Sequence, residues 1–96
     1  MTPEDFIESL KDKEPPKGLS VLLLALWHDA KGNWAKSHDL VSEIESKDAA
    51  LVHAYLHRKE GDIWNADYWY RRAGSKRPDI SPESEWHLLL QGFLVN

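Results

Sequence analysis

Apolar residues along this chain fall into six blocks, and their spacing within each block is helical. The first block holds Phe6, Ile7 and Leu10. Thr2-Pro3-Glu4-Asp5 opens it: threonine caps, proline suits the first helical position, and carboxylates favour the positive end of the helix dipole. Pro15-Pro16 and then Gly18 stop this helix near Lys13. Residues 19–31 are apolar almost all round (Leu19, Val21, Leu22, Leu23, Leu24, Leu26, Trp27), which predicts a helix covered on most sides. Gly32-Asn33 ends it, and Asn33 caps a third helix with Trp34, Leu40, Val41 and Ile44 at helical spacing. After Ser46-Lys47-Asp48, Ala49 opens a fourth helix reaching about Lys59. Gly61-Asp62 repeats the stop-and-cap device before a fifth, from Ile63 to about Gly74, with Ala66, Tyr70 and Ala73 on one stripe. Ser81-Pro82-Glu83 starts a sixth, whose Trp86, Leu89, Leu90, Phe93 and Leu94 form an amphipathic stripe. No stretch alternates apolar with polar residues or carries the β-branched density of a strand. The pattern predicts one all-α domain over 1–96.

Within that domain the sequence repeats itself. Ala25-Leu-Trp-His-Asp-Ala-Lys-Gly32-Asn-Trp echoes Ala54-Tyr-Leu-His-Arg-Lys-Glu-Gly61-Asp-Ile at an offset of 29 residues. The register pairs Ala25 with Ala54, His28 with His57, Gly32 with Gly61 and Asn33 with Asp62. A period of this size corresponds to one helix-turn-helix unit stacked beside its copy. The expected organisation is an N-terminal helix (1–14), one hairpin (19–46), a second (48–78) and a C-terminal helix (81–95), the outer two acting as covers.

The second copy, Gly61-Asp62-Ile63-Trp64-Asn65-Ala66-Asp67-Tyr68-Trp69-Tyr70-Arg71-Arg72-Ala73 with Pro78 beyond, resembles the second half of a tetratricopeptide (TPR) or Sel1-like repeat. The matching positions are Gly61, Ala66, Tyr70, Ala73 and Pro78, and Trp69 to Ala73 is particularly Sel1-like. The first copy matches at Gly32, Ser37, Val41 and Ile44, lacks the proline, and is degenerate. The resemblance spans 19–78 and implies TPR-like antiparallel hairpins that serve as a scaffold. It further implies a groove lined by Leu22, Leu26 and Asp29 in the first unit and by Leu51, Tyr55, Arg58 and Lys59 in the second. Asp29 and Arg58 then occupy equivalent positions and are expected to pair across the groove, worth at most ~1 kcal/mol. With two units the groove is small, and the N-terminal helix is positioned to fill it.

Composition narrows the function. The net charge is −4, whereas nucleic-acid binders usually carry a basic surplus to neutralise phosphates. Between Arg58 and Arg77, six basic residues face three acidic ones, a small local excess. There is no cysteine, hence no disulfide framework, thiolate metal site or thiol nucleophile. The longest apolar run, Val21 to Trp27, is far shorter than the ~20 residues that span a bilayer. The acidic opening is unlike a signal peptide. The expectation is a cytoplasmic chain that binds neither nucleic acid nor membrane and carries no cofactor.

Two groups remain as candidate sites. His53 and His57, at i and i+4, share a helix face and offer two metal ligands. His28 takes the equivalent position in the first copy. Together they define the alternative reading, a small-ligand or metal-binding protein using His28, His53 and His57. Against it, these positions are also those that pack the first helix of a unit on its partner, and packing is the expected role. Glu60 and Asp62 lie near His57, yet their spacing demands no catalysis, and Asp62 with Asn65 reads as a capping pair. Trp64, Tyr68, Arg71 and Arg72, followed by Lys76 and Arg77, form the second group: aromatic and arginine side chains that anchor interfaces. Alternatively Trp64 and Tyr68 pack beneath the last helix, against Trp86, Leu89 and Phe93. The leading expectation is a non-catalytic protein-protein interaction module whose partner, a protein, a peptide or a second copy in a homodimer, meets Trp64, Tyr68, Arg71, Arg72, Tyr55 and Arg58. An apolar strip on the last helix is a second place for dimerisation.

Overall fold

The computed structural model describes residues 1–94. Among the described residues six α-helices follow in order: α1 Pro3–Glu8, α2 Val21–Ala30, α3 Trp34–Ser42, α4 Lys47–Lys59, α5 Ile63–Arg72 and α6 Pro82–Leu94. Among the described residues there is no strand, and no helix is long and apolar enough to cross a membrane. The expected end of the last helix, Val95, lies outside the described residues.

Capping explains where these helices start. Thr2 accepts from the Asp5 amide at 3.0 Å while the Asp5 carboxylate accepts from the Thr2 amide, a reciprocal box. Ser20, Asn33, Ser46 and Asp62 each accept an amide from the first turn of the next helix. Two of these caps move a boundary. Ser20 delays α2 to Val21, and Ser46 starts α4 at Lys47 instead of Ala49. The N-terminal helix also ends early. Ser9 Oγ donates to the Phe6 carbonyl at 2.6 Å, and Ser9–Lys11 tightens into a 3₁₀ turn.

Helices α2 and α3 form one antiparallel hairpin, α4 and α5 the next. Their bends are alike. Gly32 (φ +85°) donates to the Asp29 carbonyl and Asn33 to that of His28. Gly61 (φ +90°) donates to the Arg58 carbonyl and Asp62 to that of His57. Both are the six-to-one and five-to-two pair of a Schellman turn, which needs the left-handed conformation that glycine adopts without penalty. Inside each hairpin small residues let the backbones approach. In the first, Ser37 Oγ donates to the Ala25 carbonyl at 2.6 Å; in the second, the equivalent Ala66 and Ala54 are both fully buried. Serine therefore fits the alanine position of the repeat because a helix carbonyl receives its hydroxyl.

The last helix takes a route that the repeat does not predict. It crosses the faces of α2 and α4 and meets α1, leaving α5 against α4. Trp86 Nε1 donates to the Leu26 carbonyl at 3.1 Å, and its ring packs 6.0 Å from that of Phe6. Trp86 and Leu90 are buried, and Leu89, Phe93 and Leu94 pack against the same core. The inner face of the hairpins is thus filled mainly by α6 rather than by α1 alone. The apolar strip of α6 is turned inward with it. What remains open is a largely apolar cleft of about 310 Å³ between α1 and α6, bounded by Ile7, Leu10, Tyr55 and Trp86.

Candidate functional site

The carboxylates of the inner face are paired differently from expectation. Asp29 is buried and accepts from Tyr55 Oη at 2.6 Å and Lys59 Nζ at 2.9 Å. Arg58 turns instead to Glu85, with Nη1 to Oε1 at 2.9 Å, and also donates to the Ile80 carbonyl. Tyr70 Oη lies 2.8 and 2.6 Å from the two Glu85 oxygens. The predicted Asp29–Arg58 pair is absent because α6 brings a second carboxylate over α4 and because Tyr55 and Lys59 reach Asp29 first. Tyr55 is buried and Arg58 largely so. Neither presents its polar end on the surface where the two were expected to meet a partner.

The aromatic and basic residues of α5 have the opposite fate. Trp64 is 79% exposed and Tyr68 38% exposed, and Arg71 and Arg72 face solvent beside them. Arg72 Nη1 donates to Tyr68 Oη at 3.1 Å, and its guanidinium lies 5.2 Å from the Trp69 ring centre and 5.9 Å from that of Tyr68. Packing of Trp64 and Tyr68 beneath α6 does not occur, since α6 lies over α2 and α4. Arg77 is tied to Asp67 by two hydrogen bonds, and Lys76 borders a hollow with Tyr70 and Arg71.

The histidines regroup. His28 stays on α2, half-buried against the Trp27 ring, away from the other two. Equivalent positions in stacked hairpins are displaced by at least a helix spacing of about 8–10 Å, so His28 and His57 do not converge. His38 of α3 takes the place expected of His28. Its Nε2 is 3.0 Å from Nε2 of His53, and the ring centres of His38, His53 and His57 lie 4.6–5.3 Å apart. Trp34 stacks on His38 at 4.9 Å and Trp69 on His53 at 3.9 Å. His57 Nδ1 lies 2.7 Å from Glu60 Oε1. One ring nitrogen from each histidine falls within 4.8 Å of the other two. A sequence signal for His38 did exist: Trp34/His38 and His53/His57 are two i, i+4 pairs on consecutive antiparallel helices, which lets them face each other. Asp62, by contrast, caps α5 through Asn65, as its spacing predicted.

Burial, and then the charges of His38 and His57, push His53 down to about 4; burial also lowers His38. The groups facing His53 are His38 from α3, His57 from its own helix and the Trp69 ring from α5. An unfolded histidine takes up its proton near pH 6.5. Between pH 6.5 and about 4 the unfolded chain therefore binds a proton that the fold refuses, and stability falls as pH falls. Above pH 6.5 this contribution is flat. The expected loss, allowing for solvent screening of a cluster open on one side, is on the order of 2 kcal/mol, read by comparing the pH dependence of urea unfolding of the parent chain and a His53→Gln variant across that range. Parallel pH curves for the two would overturn it.

No family model matches this chain, and neither a curated protein nor a solved structure matches it.

Proposed function

We propose that the chain is a non-catalytic interaction module of TPR-like hairpins that holds a protein or peptide partner on the outer face of α5. The observation that carries this reading is Trp64. Of the five tryptophans, Trp27 and Trp86 are buried and Trp34 and Trp69 half-buried, while Trp64 stands almost wholly in water. An exposed indole flanked by tyrosine and arginine is the composition of an interface anchor. Arg71 and Arg72 add positive charge to the exposed side of α5, which suits an acidic partner. The inner groove is a weaker candidate because α6 fills most of it.

Trp64 and Arg72 support little of the core, so Trp64→Ala and Arg72→Glu should leave stability within about 0.5 kcal/mol of the parent. Immobilised wild-type chain should retain a partner from the native lysate that both variants lose. With that partner purified, Trp64→Ala should weaken binding about 30-fold, the effect of a hot-spot residue of about 2 kcal/mol. Light scattering of the isolated chain identifies the case in which the partner is a second copy. Retention of the same partners by both variants would count against this face.

A further inference from the structure

We propose that His38, His53 and His57 bind a divalent transition-metal ion of the zinc class, with Glu60 as the carboxylate that orients His57. The proposal is independent of the α5 face. Three imidazoles from α3 and α4 present ligand nitrogens all within 4.8 Å of one another. Tetrahedral zinc with bonds of about 2.0–2.1 Å separates its nitrogens by about 3.3 Å. The 3.0 Å between Nε2 of His38 and Nε2 of His53 is close to that edge. Glu60 engages Nδ1 of His57 at 2.7 Å and leaves its Nε2 for the ion. A carboxylate on the far nitrogen of a ligating imidazole fixes its tautomer and raises its basicity. Trp34 and Trp69, stacked on two of the rings, hold the set in position.

The chemistry of the set selects the ion. Imidazole nitrogens suit zinc, copper, nickel and cobalt and do not suit magnesium or calcium, which want oxygen. Ligation requires neutral imidazoles. In the metal-free chain one of the two facing Nε2 atoms donates to the other. An ion displaces that hydrogen, which returns to Nδ1 of the same ring through solvent, so the ring changes tautomer without changing charge. Three protein nitrogens leave a fourth position to water.

The test uses the full chain purified without a histidine tag and stripped with chelator. Titration with zinc chloride by calorimetry should give one ion per chain and raise the melting temperature, while magnesium chloride does neither. Cobalt(II) should develop the visible absorption of a four- or five-coordinate nitrogen site. His38→Gln, at a half-buried position, should abolish both signals. Glu60→Gln, at an exposed position that leaves the fold intact, should weaken zinc about 10–100-fold, as loss of an orienting carboxylate does. The proposal is overturned if the wild type takes up no stoichiometric zinc, or if Glu60→Gln and a folded His38→Gln bind as tightly as the parent.

Discussion

Arg58→Ala should destabilise the chain by about 3–5 kcal/mol, the cost of removing one member of a buried ion pair. Glu85, 4% exposed, would keep its charge inside with Tyr70 as its remaining partner. Tyr70 remains a donor to it, because burial and the Glu85 carboxylate raise its phenol. For a domain whose whole stability is typically 5–15 kcal/mol, this approaches global unfolding. The pair itself is worth much less than either single loss suggests. Replacing both members with apolar residues, Arg58→Met with Glu85→Leu, removes the charge from the interior and should recover part of the deficit, the buried Tyr70 hydroxyl losing its acceptor. Urea denaturation of Arg58→Met, Glu85→Leu and the double yields the coupling directly. A single variant costing under about 1 kcal/mol would mean that water reaches the pair and that it behaves as a surface bridge.

Trp86→Ala should cost about 3–5 kcal/mol as well, the range for deleting a large buried aromatic. The mechanism differs. Trp86 is the joint between α6 and the hairpins, through its bond to Leu26 and its packing on Phe6. Its loss leaves a cavity at that joint, so the damage should be uneven. Hydrogen exchange should accelerate in 82–94 and at Phe6 well before it does in α4 and α5, which keep their own contacts. Trp86→Phe retains most of the apolar volume and should cost about 1 kcal/mol, the usual net worth of a hydrogen bond. Uniform acceleration along the chain would show that α6 and the hairpins unfold as one unit.

Local chemistry carried the reading of this fold. The six helices, the matched glycine bends and the capping residues Thr2, Asn33, Asp62 and Ser81 are each written within a few neighbouring positions. Boundaries slipped where a serine had two possible jobs. Ser20 and Ser46 cap, and Ser9 turns back on its own helix. Tertiary partners were far less legible. The Asp29–Arg58 pairing assumed that equivalent repeat positions meet; it left out the route of α6, which a repeat period does not encode. The same assumption grouped His28 with His57. Equivalence along a stack separates residues, whereas facing positions on adjacent antiparallel helices bring them together, and that is why His38 joins His53. The aromatic patch was legible by composition, but its exposure depended on which neighbour α6 chose.

That choice also sets the order of events during synthesis. The contact from Trp86 to Leu26 joins residues 60 positions apart, while each hairpin closes through near neighbours. Until residues 82–94 are in place, Leu26 and Tyr55 lack their lid, and the hairpins present an oily flank to other chains or to a chaperone. A chain cut back to residues 1–81 should therefore be protease-sensitive and sticky, and restoring 82–94 should protect it.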